Sequence, residues 1–261
     1  MVKKLKHLLT KKDQWSLLFK ALIFTALLSA FTFTNSLIWA VFFVLVGFIF
    51  YFLEPREIKE LKTSYFFTLL LPVVLVNLIS YTPLSVNLLV FIKISLIVVA
   101  ITLIYLILSL INYKLKNRDF FYSLINTVLF ILLYIAIFSY ITPFALGWSS
   151  LFLILGVFLL FNETLHYHNL RKPGFSLIKN KRSFLTGLTI ALVSLELSWV
   201  SLVLPLGIIN SAVFLTLITV VCRDIVLAHF KGKLQLSFLL QQFTFLVLLI
   251  VILFAATNWS I

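Results

Sequence analysis

The side chains able to do chemistry are few in this chain and far apart. The segment Asn162-Glu163-Thr164-Leu165-His166-Tyr167-His168 brings one carboxylate and two imidazoles together. Glu163 and His166 stand at i, i+3, the spacing that puts two side chains on one helical face, and His168 lies elsewhere around the helix. Asp224 and His229 close a later apolar run at the same expected depth. Carboxylates and imidazoles are the ligands a divalent metal takes. A di-metal helical bundle needs two copies of Glu-x-x-His, so a polar cluster facing water and headgroups is the plainer reading. Two further ionisable residues, Lys93 and Glu196, sit inside apolar runs, where a charge is costly and marks a functional candidate. Lys20 lies near a helix end and can snorkel.

No catalytic signature joins these residues. Intramembrane proteases of the CAAX-processing type carry a Glu-Glu pair followed by Arg, then His motifs in later spans. Here Glu163 is single, Arg171 lies eight residues on, and no later run has a central His. His-Glu-x-x-His, a rhomboid-type Gly-x-Ser-Gly and a Gly-rich phosphate loop with Lys are also missing. No cofactor is signalled. Three functions are therefore weighed in this order: a non-enzymatic membrane subunit or scaffold, a small transporter using Lys93 and Glu196, and an intramembrane enzyme at Glu163, His166 and His168.

The elements that must hold these residues follow from composition. The chain has 261 residues, of which 62% are hydrophobic and 11% charged, with 28 Phe. A soluble domain carries roughly 45–50% apolar and 25% charged residues and has too small an interior for this much apolar surface. The expected fold is all-α, a polytopic transmembrane helical bundle. At about 20 apolar residues per span, nine runs qualify: 15–34, 37–53, 64–81, 85–111, 120–141, 144–161, 184–206, 209–228 and 236–257. That divides the chain into a basic segment 1–14, one transmembrane domain 15–257 and an external tail 258–261. The run 21–34 is long for a cleavable signal and is read as a retained first helix. Pro72 should bend the third helix, the Thr68 hydroxyl being one partner for the carbonyl it frees.

Charge orients these runs. Apart from Lys20 and Lys93, every Lys and Arg falls in the N-terminal segment or in the alternate connections 54–63, 112–119, 162–182 and 229–235, with Arg223 counted beside Lys231 and Lys233. The intervening connections, 35–36, 82–83, 142–143 and 205–207, carry none. Cytoplasmic loops concentrate Lys and Arg, so the N-terminus is expected in the cytoplasm and the C-terminus outside. The net charge of +13 then reflects topology, and no nucleic-acid partner is expected. Arg171, Lys172, Lys179, Lys181 and Arg182 gather in the longest connection, where anionic headgroups or a membrane protein partner could meet them. Ordinary topology-setting charge explains them as well. The amides Asn77, Asn126, Gln241 and Gln242 read as interhelical glue, and the single Cys222 forms no internal disulfide.

Depth adds one expectation. Lys93 lies ten residues after Pro83 and Glu196 nine before Pro205. At 1.5 Å per residue these are about 15 and 14 Å from the outer helix ends, so the two are expected to meet. For the topology itself, reporter fusions should read cytoplasmic at Lys116 and Asn180 and external at the C-terminus. A cytoplasmic C-terminus would show that an odd number of runs has been miscounted.

Overall fold

The structure, a computed structural model, describes residues 19–34, 36–53, 61–80, 86–111, 117–140, 146–171, 180–204 and 206–256. Among them are nine helices and no strand: α1 (Phe19–Thr34), α2 (Leu37–Leu53), α3 (Lys62–Ser80), α4 (Val86–Ile111), α5 (Arg118–Tyr140), α6 (Leu146–Arg171), α7 (Asn180–Val203), α8 (Gly207–Phe230) and α9 (Leu236–Ala256). Seven, α3 to α9, are long and apolar enough to cross a membrane, and α1 and α2 are shorter apolar helices. The chain is a multi-pass helical membrane protein.

Helix ends fall close to the ends of the apolar runs, with one exception. The sixth run was expected to stop at 161, yet α6 continues to Arg171. Beyond Phe161 the chain turns polar, but its inward positions still pack: Thr164, Leu165, Tyr167 and His168 are buried, while His166 is exposed. Tertiary burial of one face carries the helix on where mean hydropathy no longer does. The connection expected over 162–182 shrinks to 172–179. Of its basic cluster, Arg182 is exposed on the first turn of α7. Lys172, Lys179 and the side chains of Arg171 and Lys181 lie outside the described residues, as do 1–14, 54–60 and 258–261.

The chain divides into two compact units, 1–125 and 126–261, with the boundary inside α5. In the first, α2 packs on α3 and α3 along α4. The Leu69 side chain occupies the space a Cβ on Gly47 would take, and the Tyr65 hydroxyl donates to the Gly47 carbonyl at 2.9 Å. Glycine thus lets α3 approach the backbone of α2. Phe24 of α1 meets Phe43 and Phe50 of α2 at 5.6 and 5.4 Å, and the Lys20 ammonium lies 5.5 Å from the centre of the Phe50 ring. A ring face attracts a cation more strongly away from water, which settles Lys20 at its helix. α3 runs unbroken through Pro72. The Thr68 hydroxyl, expected to serve the carbonyl that Pro72 leaves without a donor, donates instead to the Ser64 carbonyl at 2.7 Å.

In the second unit α6 lies along α7, α7 on α8 and α8 on α9. Phe161 and Leu165 of α6 and Leu227 of α8 form one buried cluster. The Ser183 hydroxyl at the start of α7 donates to Asn162 Oδ1 of α6 at 2.9 Å. Gly156 brings α6 against α5: a Cβ there would stand 2.8 Å from Leu133 Cδ2. Only 6% of the spanning stretch of α9 is buried, against 28–56% in the other six, so α9 offers the most surface to its surroundings.

The Gly156 contact can be checked directly. Gly156→Val should overpack α5 against α6 and lower stability by about 1–3 kcal/mol, read as thermal unfolding in detergent. Leu133→Ala in the same chain should return part of that loss.

Candidate functional site

The buried face of α8 repeats through Ala212, Leu215, Thr216, Thr219, Arg223 and Leu227, steps of three and four that make one helical stripe. Arg223 is thus an inward residue of α8, not a cation of the connection. It lies seven residues before the helix end, about 10 Å along the axis, and is 3% exposed. A guanidinium only donates, so its burial demands acceptors. Nη1 donates to Asn126 Oδ1 at 3.0 Å and to Thr127 Oγ1 at 3.4 Å, both on α5. Nε donates to Asp224 Oδ1 at 2.9 Å. The Asp224 side chain is 37% exposed, so this ion pair stands partly in water and holds orientation more than energy. Because Arg223 only donates, the amide oxygen of fully buried Asn126 must face it. Nδ2 therefore points away, and no acceptor among the described residues reaches it.

Glu163 is placed on α6 by its distance from the Gly156 contact. Residues 141–145 are all that separate α5 from α6, so the two helices run antiparallel. From the Gly156–Leu133 contact, seven residues onward in α6 is Glu163 and seven back in α5 is Asn126. Two turns return each helix to nearly the same face. Glu163 is buried. Removing charges from water costs several kcal/mol per ion unless partners and hydrogen bonds offset it, so buried Arg223 and Glu163 both depend on polar partners inside the protein.

A second polar layer lies eight residues farther along α5. Tyr134 is fully buried, with its hydroxyl 2.7 Å from Thr219 Oγ1. Thr219 already donates to the Leu215 carbonyl at 2.8 Å, so Tyr134 must be the donor between them. The Ser194 side chain of α7 also hydrogen-bonds Tyr134 and by the same reasoning donates. The chain of donors runs from α7 through α5 to α8.

The residues singled out from sequence sort themselves on these layers. Glu163 and His168 are buried on α6, whereas His166 and His229 are exposed. The Glu163–His166 spacing therefore does not give the two a common environment. Among the described residues no three His, Cys, Asp or Glu side chains gather to hold a metal ion. Lys93 of α4 is buried, and its ammonium donates to the Thr32 carbonyl at 3.1 Å. Thr32 is two residues from the end of α1, where carbonyls lack intrahelical donors. The amide that could reach back to it, Ser36 N, bonds the Thr34 hydroxyl at 3.3 Å instead. Lys93 thus caps α1 and meets the negative end of its dipole. Glu196 belongs to the second unit, exposed on α7 in the middle of a stripe of exposed Leu192, Val193, Trp199 and Val200.

No family model, curated protein or solved structure matches the chain. The site therefore rests on its own chemistry. What sequence reasoning missed is Arg223, grouped with the basic connections although it continues the stripe of Thr216 and Thr219. Asn126, read only as glue, is the acceptor that makes its burial tolerable.

A double-mutant cycle tests that layer. Asn126→Leu leaves a buried guanidinium short of an acceptor and should cost about 1–3 kcal/mol. Arg223→Met should be less harmful in the Asn126→Leu background than alone, with a coupling of at least about 0.5 kcal/mol. Additive losses in thermal unfolding would show that the bond carries no coupling.

Proposed function

We propose that this protein is a non-enzymatic, membrane-embedded subunit that docks a partner through α7, with its N-terminus and basic connections on the cytoplasmic side. The observation that carries the reading is Glu196. Helices keep their polar groups toward protein or water, since an acid at the centre of a span costs about 2.5–3.5 kcal/mol on insertion scales. Glu196 does the opposite, standing exposed within an apolar stripe about 10 Å from the end of α7. A face of that kind suits a second transmembrane helix offering a cation or a donor at the same depth. The orientation is supported by the distribution of Lys and Arg, which avoids every other connection.

The second reading is a small transporter in which Glu196 takes up a proton or cation and Lys93 competes for it. It is supported by the presence of both charges inside spanning helices.

One experiment separates the two. A photo-crosslinking residue placed at Val193 or Val200 in native membranes should give an adduct of defined mass with another chain. Its linked peptide should carry a basic or amide side chain, and Glu196→Gln should weaken it. A link within the chain to α4, with Lys93→Leu and Glu196→Gln costing less together than the sum of each alone, would favour the Lys93–Glu196 pair. Adducts with lipid only would overturn the subunit reading.

A further inference from the structure

A cleft of about 670 Å³ opens where α8 passes into α9. The turn between them is fixed by backbone chemistry. Gly232 has φ +64°, a conformation that favours glycine. Lys233 N donates to the Ala228 carbonyl at 3.0 Å and Gly232 N to the His229 carbonyl at 2.9 Å, the paired bonds that end a helix on a left-handed residue. Lys231 and Lys233 are therefore held at set positions on either side of Gly232. Both line the cleft, with the amides of Gln235 and Gln242. Its apolar wall is Leu227 and Phe238. Among the described lining residues the acid, Asp224, is paired with Arg223, and Lys231 and Lys233 add two cations to the wall. The first-turn amides of α9 precede its earliest intrahelical bond, Leu239 N to the Gln235 carbonyl, and add to the positive potential.

We propose that this cleft binds an anionic phospholipid, the phosphate between Lys231 and Lys233 and an acyl chain along Leu227 and Phe238. Charge alone would suit any phosphate. The choice of a lipid rests on the apolar wall and on the position of the cleft at the ends of two membrane-spanning helices. Lysines near a bilayer surface favour anionic lipid by about fivefold each, and a cleft with amide donors turns that general attraction into a bound molecule.

The test uses the full chain in detergent micelles doped with equal phosphatidylglycerol and phosphatidylcholine, read by native mass spectrometry. Bound phosphatidylglycerol should dominate. Lys231→Gln and Lys233→Gln should each lower it about fivefold and together abolish the preference, while the paired Arg replacements keep it. Arg182→Gln, at an exposed basic residue of α7 that does not line the cleft, should leave it unchanged. Phe238→Ala keeps the charges and should weaken retention, which tests the apolar wall even if the double Gln variant fails to fold. Equal retention of both lipids, an unchanged preference in a folded double Gln variant, an Arg182→Gln loss as large as that of either lysine, or displacement by inorganic phosphate alone would each overturn the proposal.

Discussion

Hydrocarbon offers no hydrogen bonds, and every polar atom that enters it must find its partner inside the protein. The hydroxyls of this chain obey that constraint one helix at a time. Thr25 donates to the Ala21 carbonyl, Thr32 to Leu28, Ser80 to Val76, Thr164 to Leu160, Ser201 to Leu197 and Thr216 to Ala212, each four residues back and all between 2.6 and 2.9 Å. Exposed hydroxyls do the same: Ser95, Thr102, Thr189 and Thr244 bond the carbonyls of Phe91, Val98, Leu185 and Leu240. A Ser or Thr closed onto its own helix presents lipid with little but carbon and asks nothing of its neighbours.

The groups that cannot close locally are the ones that organise each unit. A guanidinium, a carboxamide and a phenol are too long or carry too many donors to be satisfied by their own turn. Arg223 therefore requires α5, Tyr134 requires α8 and α7, Asn162 meets Ser183, and Lys93 requires the end of α1. These bonds set which helix faces which, and at what depth, in a medium where apolar faces alone discriminate poorly because lipid is as apolar as leucine. Glycines do the complementary work: Gly47 and Gly156 admit Leu69 and Leu133 where a Cβ would exclude them.

The spans were legible because the bilayer imposes a length and a hydropathy on each run. The tail of α6 was not, since Asn162 to Arg171 has the composition of a connection and only the burial of Thr164, Leu165, Tyr167 and His168 keeps it helical. The local periodicity of α8 contained Arg223, but the charge-counting that set topology assigned it to the wrong place. Its partners lie 97 and 96 residues away, and no pattern along one sequence names a contact at that separation. Lys93 illustrates the same limit. Its depth was readable from its distance to Pro83, whereas its acceptor, a backbone carbonyl at the end of α1, has no sequence signature at all.

Set side by side, the ionisable residues of the spans divide by how their charge is met. Lys20 has a ring, Lys93 a helix terminus, and Arg223 a carboxamide, a hydroxyl and a carboxylate. Each of these cations is answered within its own unit. Glu196 is exposed among Leu192, Val193, Trp199 and Val200, with the self-bonded Thr189 two turns back, beside Ser198, whose hydroxyl closes onto the Leu195 carbonyl at 2.6 Å. A local donor is thus directed into the helix rather than toward the acid. In α7 the acid and its neighbouring hydroxyls thus answer to different surroundings, Ser194 and Ser198 buried and Glu196 exposed.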